Sequence, residues 1–216
     1  MSASSVVADI GSGTGISTRL LAPHVSLVYA VEPNAEMRAE AEREEPPNVV
    51  SVEGTAEATG LVSGAVDFVV AATAFHWFKQ AEARKEFRRI LKKPAGLVVL
   101  MWNMRARAAS ELVAEYEQLL EDFGTNYTLS LMSDKWSAPA EEFFGAGKFE
   151  RRVLPNHQDF DFEGFRGRLL SASYAPLPGH EKHEPMMERL REIFERHQVE
   201  ERVRFDYETR VYWGRV

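Results

Sequence analysis

Three glycines at alternate positions, directly after an apolar run, are the strongest chemical signal in this sequence of 216 residues. They stand in Asp9-Ile-Gly-Ser-Gly-Thr-Gly15, which follows Val6-Val-Ala8. Glycine lets a chain turn tightly out of a strand, and it lets a ligand approach the backbone beside the N-terminus of the next helix. The segment therefore predicts a ligand-binding loop between a first strand and a first helix.

An acidic residue follows at a spacing that suits a nucleoside ligand. Glu32 ends the second apolar run, and a carboxylate at the tip of a second strand can accept hydrogen bonds from both hydroxyls of a ribose. The loop does not match a dinucleotide fingerprint, because Gly15 falls one residue early, and it lacks the Lys-Ser/Thr pair of a phosphate-binding loop. These features favour a nucleoside ligand whose charged group is not a pyrophosphate.

A histidine and three aromatic residues follow the fourth apolar run, in Ala74-Phe-His-Trp-Phe78. Ligands of open α/β sheets bind at the carboxyl ends of parallel strands, so these side chains are candidates for the site. His76 titrates near neutral pH and could serve as a general base, with a structural hydrogen-bonding role as the alternative. The aromatic rings either flank the ligand or pack beneath it.

The elements that must position these groups are predicted from five apolar runs of strand length. Near-continuous rather than alternating hydrophobicity is typical of strands that are covered on both faces. Helix-like segments at Ala35–Glu44 and Gln80–Lys93 separate some of the runs, which predicts a doubly wound parallel sheet. The five runs are Val6–Ile10, Leu27–Val31, Val49–Val52, Val66–Ala72 and Leu97–Trp102.

Beyond Asn103 the pattern changes, and amphipathic helices are predicted at Ser110–Phe123 and Glu184–Gln198. Strict alternation over Phe205–Val211 predicts a half-exposed, antiparallel strand near the end of the chain. We expect one domain over residues 1–216. Its ligand-binding half covers residues 1–103, and residues 104–216 form a helical cap with the substrate region and the final strands.

Composition excludes several classes of protein. The absence of cysteine rules out a disulfide framework, a cysteine-type zinc site and thiol catalysis. The 33 acidic and 26 basic residues leave a net charge of −7, which argues against nucleic acid as a partner. No stretch is long and apolar enough to span a membrane, so a cytoplasmic location without a membrane partner is expected. His180, His183 and His197 lack a paired carboxylate pattern, and no metal site is expected.

Taken in order, these motifs resemble the class I S-adenosylmethionine-dependent methyltransferases, and within them the small-molecule group known as methyltransferase type 11. The resemblance covers about residues 6–103. The segments that carry it are Asp9–Gly15, Glu32-Pro33-Asn34 with Met37, Gly54-Thr-Ala-Glu57, Val66–Ala72 with Phe75–Phe78, and Phe87–Trp102.

The resemblance implies a Rossmann-like α/β fold, with a mostly parallel seven-stranded sheet, an antiparallel C-terminal strand and a helical cap. It also implies S-adenosylmethionine as the cofactor, with Gly11–Gly15 at its methionine end and Glu32 on its ribose. Asp9 is expected to act indirectly, by orienting the loop or the ammonium group of the cofactor. Many relatives carry Asp at the position of Thr55, so the adenine contact is expected to involve Glu57 or the backbone. The implied cofactor-binding residues are Asp9, Gly11, Ser12, Gly13, Thr14, Gly15, Glu32, Pro33, Met37, Thr55, Ala56, Glu57, Ala72 and Phe75.

The implied activity is transfer of a methyl group, by in-line displacement, to oxygen, nitrogen or carbon of a small molecule. Such a reaction needs mainly alignment and exclusion of water, so no catalytic triad is required. Two alternatives remain: a protein that binds the cofactor without turnover, and a nicotinamide-dependent oxidoreductase, which the position of Gly15 disfavours. Expected wall residues of the acceptor pocket are Trp102, Trp136, Phe143, Phe144 and Tyr174.

Members of this family usually carry some tens of largely helical residues before the first strand, whereas only Met1–Ser5 precede it here. We expect those N-terminal helices to be missing and cofactor binding to be loose. An exposed apolar patch would then favour self-association, so both a monomer and a homodimer are compatible with the sequence.

Overall fold

The computed structural model describes residues 1–108, 110–125, 127, 137–172 and 174–216, without the side chains of residues 137–139. Trp136, a predicted pocket residue, lies outside the described residues. The chain divides into two compact units. The first comprises Met1–Trp102, Ser137–Arg152 and Arg210–Val216, and the second comprises the described residues within Asn103–Trp136 and Val153–Thr209.

One sheet contains the seven strands of the described residues. The strands are β1 (Val6–Ile10), β2 (Leu27–Val31), β3 (Val49–Val52), β4 (Phe68–Ala72), β5 (Leu97–Arg105), β6 (Phe149–Phe160) and β7 (Val203–Gly214). Their order is β3-β2-β1-β4-β5-β7-β6. All four neighbouring pairs among the first five strands are parallel, and the C-terminal strand is antiparallel. The predicted fold class is therefore confirmed.

Seven α-helices accompany the strands in the described part of the chain. They are α1 (Ile16–Leu21), α2 (Ala35–Glu42), α3 (Gln80–Ile90), α4 (Glu111–Phe123), α5 (Ser137–Phe144), α6 (Phe162–Leu170) and α7 (His183–His197). Helix α2 begins after Asn34, whose Oδ1 accepts hydrogen bonds from the N–H groups of Glu36 and Met37, as expected of an N-cap residue. Helix α1 is the helix predicted after the glycine loop, whereas the helices α5 and α6 and the strand β6 have no counterpart among the predicted elements.

Helix α2 ends at Glu42 rather than at Glu44, and strand β5 extends to Arg105 rather than ending at Trp102. Two further predicted boundaries, both in the first unit, also need correction. Strand β4 begins at Phe68 rather than at Val66, and helix α3 ends at Ile90 rather than at Lys93. Both differences have one cause, because Leu91 leaves the helix in an extended conformation and forms an isolated parallel bridge with Val66. The one residue between Val66 and β4 is Asp67, which forms an ion pair with Lys92.

The core of the first unit combines aliphatic strand residues with an aromatic cluster. Phe143 packs against Phe75 and Phe87, with ring centroids 4.9 Å and 6.0 Å apart. Phe144 is also fully buried and contacts Phe143 edge to face. The sequence predicted Phe143 and Phe144 as wall residues of a pocket, but the structure places both in this core.

The second unit has its own core between α4, α6, α7 and part of β7. Met186 and Leu190 of α7 are fully buried there. A buried ion pair joins Arg105 to Glu117, and the hydroxyls of Tyr127 and Tyr174 accept hydrogen bonds from the same guanidinium group. Tyr174, another predicted pocket residue, is thus engaged within the unit.

The described residues contain neither a metal-binding cluster nor a helix that could span a membrane. No group of three or more His, Asp or Glu side chains lies close enough together to hold a metal ion. His183 is buried, with Nδ1 2.8 Å from the carbonyl oxygen of Pro176. None of the helices described is both long and apolar enough to cross a lipid bilayer.

Candidate active site

The glycine loop after β1 adopts backbone conformations that favour glycine. Gly11, Gly13 and Gly15 have φ angles of 69°, 58° and 81°, all in the left-handed region. A Cβ atom added to Gly11 would lie 2.6 Å from Cβ of Ala74, whereas one added to Gly13 would meet nothing within 4 Å. Gly11 is therefore required by packing, while Gly13 faces open space into which a ligand can fit.

Glu32 lies directly against this loop. Its side chain is buried, Oε2 accepts a hydrogen bond from the N–H of Gly13 at 3.0 Å, and Oε1 accepts one from the N–H of Asn34 at 2.9 Å. The loop is also attached to β2, because the N–H groups of Gly11 and Ser12 donate to the carbonyl of Val31. Each carboxylate oxygen can accept a second hydrogen bond, so the pair of oxygens retains capacity for a diol.

Asp9 is fully buried beneath the loop. Its Oδ2 accepts hydrogen bonds from the hydroxyls of Ser17 and Thr18, both at 2.7 Å, and Oδ1 has no hydrogen-bond partner among the described residues. Burial raises the pKa of this carboxyl group, and the two hydroxyls oppose that shift only in part. Asp9 thus joins the end of β1 to α1, a contact that suits the predicted indirect role.

The segment after β3 is positioned by the start of α3. Thr55 and Ala58 form an isolated bridge, and Ala56 between them is buried. Oε1 of Glu57 accepts a hydrogen bond from the N–H of Lys79 at 2.7 Å. Burial opposes ionisation of Glu57, but hydrogen bonds from Lys79 and Thr55 outweigh it and lower the pKa. The predicted adenine-binding segment is therefore tied to α3.

A second tie between this segment and α3 was missing from the sequence-based prediction. Oε1 of Glu86 accepts hydrogen bonds from the N–H and the hydroxyl of Thr59, at 2.9 Å and 2.6 Å. Arg89 donates to both oxygens of Glu86 at 2.7 Å. Thr59 is fully buried and Glu86 nearly so. Glu86 and Arg89 stand three residues apart on a helix, a spacing that could have indicated their ion pair. It could not have indicated the contact of Glu86 with Thr59.

We predict that Glu86→Gln lowers the free energy of unfolding by about 1–2 kcal/mol at pH 7, a range that allows for the partial exposure of Arg89. The Arg89 guanidinium, together with Thr59, lowers the pKa of Glu86 from 4.5 to about 2. An acid whose pKa is lower in the folded than in the unfolded protein stabilises the fold at pH values above its unfolded-state pKa. This stabilisation is lost as the pH falls towards the folded-state pKa. Urea unfolding of both proteins should show the difference shrinking between pH 4.5 and pH 2, and a difference independent of pH would contradict this account.

The turn after β4 has an unusual backbone. Ala72 ends the strand and is half-buried, and Thr73 follows with a φ of 56°. The N–H of Thr73 donates to the carbonyl of Met101 on β5 at 2.8 Å. A β-branched residue is rare in the left-handed region, so neighbouring structure must hold this turn at the carboxyl end of the sheet.

The aromatic residues beyond that turn divide between the core and the surface. Phe75 is fully buried and packs edge to face against Phe78, Trp102 and Phe143. Trp77 is 80% exposed, with its ring centroid 4.9 Å from that of His76. Partial desolvation lowers the pKa of His76, although this residue also contacts solvent. Contact of Phe75 with a bound cofactor stays a prediction, since its ring supports the turn from within the core.

All the predicted cofactor-binding residues belong to the first unit. Asp9 and Ala72 lie near the ends of β1 and β4, and the others follow β1, β2, β3 and β4 at the carboxyl ends of these parallel strands. Pro33 and Met37 are exposed beside the start of α2. The bond between Gly13 and Glu32 brings the first two motifs into direct contact. The open space at Gly13 and the accepting capacity of Glu32 fit a nucleoside cofactor. The strand order and this site define an α/β protein of the class I methyltransferase fold.

Comparison with known proteins agrees with that class. A family model described as a methyltransferase domain matches residues 8–100. A methyltransferase-like protein of Schizosaccharomyces pombe is 30% identical over 220 residues, which cover 96% of this chain and 81% of that protein. The chain therefore belongs to the S-adenosylmethionine-dependent methyltransferases, as the resemblance of its motifs predicted, and it is an enzyme of that family.

Other relatives match over a smaller share of their length. An uncharacterized methyltransferase of Mycobacterium tuberculosis is 41% identical over 100 residues, which cover 46% of this chain and 40% of that protein. Among solved structures, a candidate type II methyltransferase from Anaeromyxobacter dehalogenans superposes with a TM-score of 0.77 at 23% identity, covering 97% of this chain and 89% of its own. That likeness supports the fold alone.

Proposed function

We propose that this protein transfers the methyl group of S-adenosylmethionine to a small-molecule acceptor. The observation that carries the proposal is the hydrogen bond between Gly13 and Glu32, which holds the carboxylate that we propose to bind ribose beside a loop glycine that faces open space. Family membership implies this methyl donor. We also propose a cytoplasmic protein that is a monomer or a homodimer. The net charge of −7 and the lack of a long apolar stretch in the sequence support a protein without nucleic acid or membrane partners.

The roles proposed for the chain are binding, orientation and exclusion of water. S-adenosylmethionine, when bound, supplies a methyl group that its sulfonium already activates. Gly11–Gly15 would hold the methionine end, Glu32 the ribose hydroxyls, and the segment Thr55–Glu57 the adenine. Asp9 would orient the loop through α1, and Glu86 would hold the adenine segment through Thr59. Alignment of this kind supplies much of the rate enhancement in a displacement that needs no activated nucleophile from the protein.

Calorimetric titration tests the choice of cofactor. We expect S-adenosylmethionine and its demethylated product to bind, and NAD not to bind. Binding of NAD alone would contradict the proposal and favour an oxidoreductase. Methyl incorporation from labelled S-adenosylmethionine into a panel of metabolites would then identify the acceptor and the accepting atom.

His76 provides the test for a general base. Burial lowers the pKa of His76, so its imidazole is neutral at pH 7 and able to take a proton from an acceptor that arrives protonated. We expect kcat with an identified acceptor to rise with pH as His76 loses its proton. In His76→Gln the rise should disappear and kcat should fall by about 100-fold or more. A variant with the turnover and pH profile of the unchanged protein would exclude His76 from catalysis.

A further inference from the structure

Helix α3 and its ends carry a local charge opposite to that of the whole chain. Residues 79–93 include seven basic and two acidic residues, whereas the chain has a net charge of −7. Arg89 is paired with Glu86, and Lys92 with Asp67. In the described part of the chain, Arg84, Lys85 and Arg88 take part in no ion pair.

These three cations line a cavity of about 340 Å³ in the first unit. Its other lining residues are Gln80 and Ala81 of α3, and Glu142 and Phe143 of α5. Three cations and one carboxylate leave a net of two positive charges around it. Arg84 and Arg88 stand four residues apart, a spacing at which like charges repel on a helix surface. An anion in the cavity would remove that repulsion.

Two residues that line the cavity each have a buried polar atom without a partner among the described residues. The two atoms are Nε of Arg84, a donor, and Oε1 of Gln80, an acceptor. A buried polar group without a partner is destabilising, and such groups are uncommon in folded proteins. Both atoms are closed to solvent in this conformation, so a ligand would reach them only if the two side chains shifted. Its anionic oxygens can accept from the guanidinium groups that line the cavity, each of which carries five N–H donors.

We propose that this cavity binds a small phosphate monoester. A phosphate monoester carries between one and two negative charges at pH 7 and three accepting oxygens, which matches the net charge and the guanidinium donors. A concave site of this size suits a small ligand better than an extended polyanion, which requires a row of cations along a surface. The cavity shares no lining residue with the candidate cofactor site, so the proposal does not depend on the proposed function.

Calorimetric titration with inorganic phosphate at low ionic strength tests the proposal. We expect a dissociation constant on the order of 1 mM, and weaker binding of succinate, which carries a similar charge on two separated carboxylates. Arg84→Gln/Arg88→Gln should weaken phosphate binding at least about tenfold. The matched control is Arg151→Gln/Arg152→Gln, which removes the same charge from exposed positions of the same unit and should bind phosphate normally.

A gain of affinity provides a second measurement that misfolding cannot produce. Glu142→Gln removes the only carboxylate among the described residues of the cavity wall, and it should strengthen phosphate binding about two- to fivefold. Absence of phosphate binding would overturn the proposal, and so would an equal loss in the control. Binding of a 12-nucleotide RNA without binding of phosphate would instead assign the basic surface to nucleic acid. Tighter binding of succinate than of phosphate would contradict the assignment to a phosphate group.

Discussion

Replacement of Glu32 by Ala is expected to weaken binding of S-adenosylmethionine at least about tenfold, because two hydrogen bonds from ribose hydroxyls to a carboxylate would be lost. The buried carboxylate also accepts from the N–H groups of Gly13 and Asn34. Glu32→Ala therefore removes an anchor of the glycine loop as well as a ligand contact. Calorimetric titration of the variant and of the unchanged protein gives the ratio of dissociation constants.

Two further variants separate these contributions. Glu32→Gln retains a side-chain oxygen that can accept from one backbone N–H, but it loses the charge and the second acceptor, so affinity should still fall about tenfold while the loop stays closer to its original position. Glu36→Ala is the control, because Glu36 is an exposed acid at the start of α2. Circular dichroism should show intact folding in all three. Unchanged affinity in both Glu32 variants would contradict the ribose role.

The sequence predicted the strands that form the centre of the sheet, because their pattern has a simple physical origin. Strands β1 and β2 lie where the apolar runs placed them, since strands covered on both faces need near-continuous hydrophobicity. Strand β3 also has its predicted bounds, although it is the first strand in the sheet order and is partly exposed. Strand β6 could not be found in this way. All twelve of its residues are exposed or half-buried, it contains Pro155, and it is the last strand in the sheet order. Proline is tolerated at a sheet edge, and an exposed edge strand has no hydrophobic signal to detect.

The candidate site was predictable where the residues that shape the backbone and the residues expected to bind the ligand lie in or beside one short motif. The glycine loop and Glu32 are of that kind, and the structure brings them into contact. The hydrogen bonds that hold the adenine segment are different, because Glu57 meets the N–H of Lys79 and Glu86 meets Thr59. Each joins residues more than 20 positions apart, and one partner is a backbone group without any sequence signature. Only tertiary packing establishes such contacts.

The aromatic residues show a further limit of pattern reading. Hydrophobic side chains near a predicted site are compatible with a pocket wall, with the core and with an exposed surface. The structure buries Phe75 and Phe143 and leaves Trp77 exposed. Periodicity cannot distinguish these outcomes in the turn after β4, because the segment is a short 3₁₀ helix at Phe75–Trp77 rather than a long element with one buried face.

Gly11 and Gly13 of the same loop should respond differently to replacement by alanine. Gly11→Ala should lower the free energy of unfolding by about 2–4 kcal/mol, because it adds a left-handed backbone strain and a Cβ clash. The clash is with Cβ of Ala74 at 2.6 Å, an atom that cannot rotate away. A Cβ atom at Gly13 meets nothing within 4 Å, so Gly13→Ala adds backbone strain alone. It should lower the free energy of unfolding by about 1–2 kcal/mol. Urea unfolding measures both values.

Among the folded molecules of each variant, cofactor affinity should fall more in Gly13→Ala than in Gly11→Ala, which is the opposite of the order expected for stability. A methyl group at Gly13 would occupy the open space that the proposed function gives to the cofactor, so Gly13→Ala should weaken binding at least about tenfold despite its smaller effect on stability. The variant Gly11→Ala/Ala74→Gly isolates the clash, since removal of Cβ from residue 74 should restore the part of the stability that the contact cost. If the double variant were as unstable as the sum of its single changes, the contact between residues 11 and 74 would not be the cause. Recovery would show that Gly11 serves the packing of the loop against the turn after β4, and the titration of Gly13→Ala tests separately whether Gly13 serves the ligand.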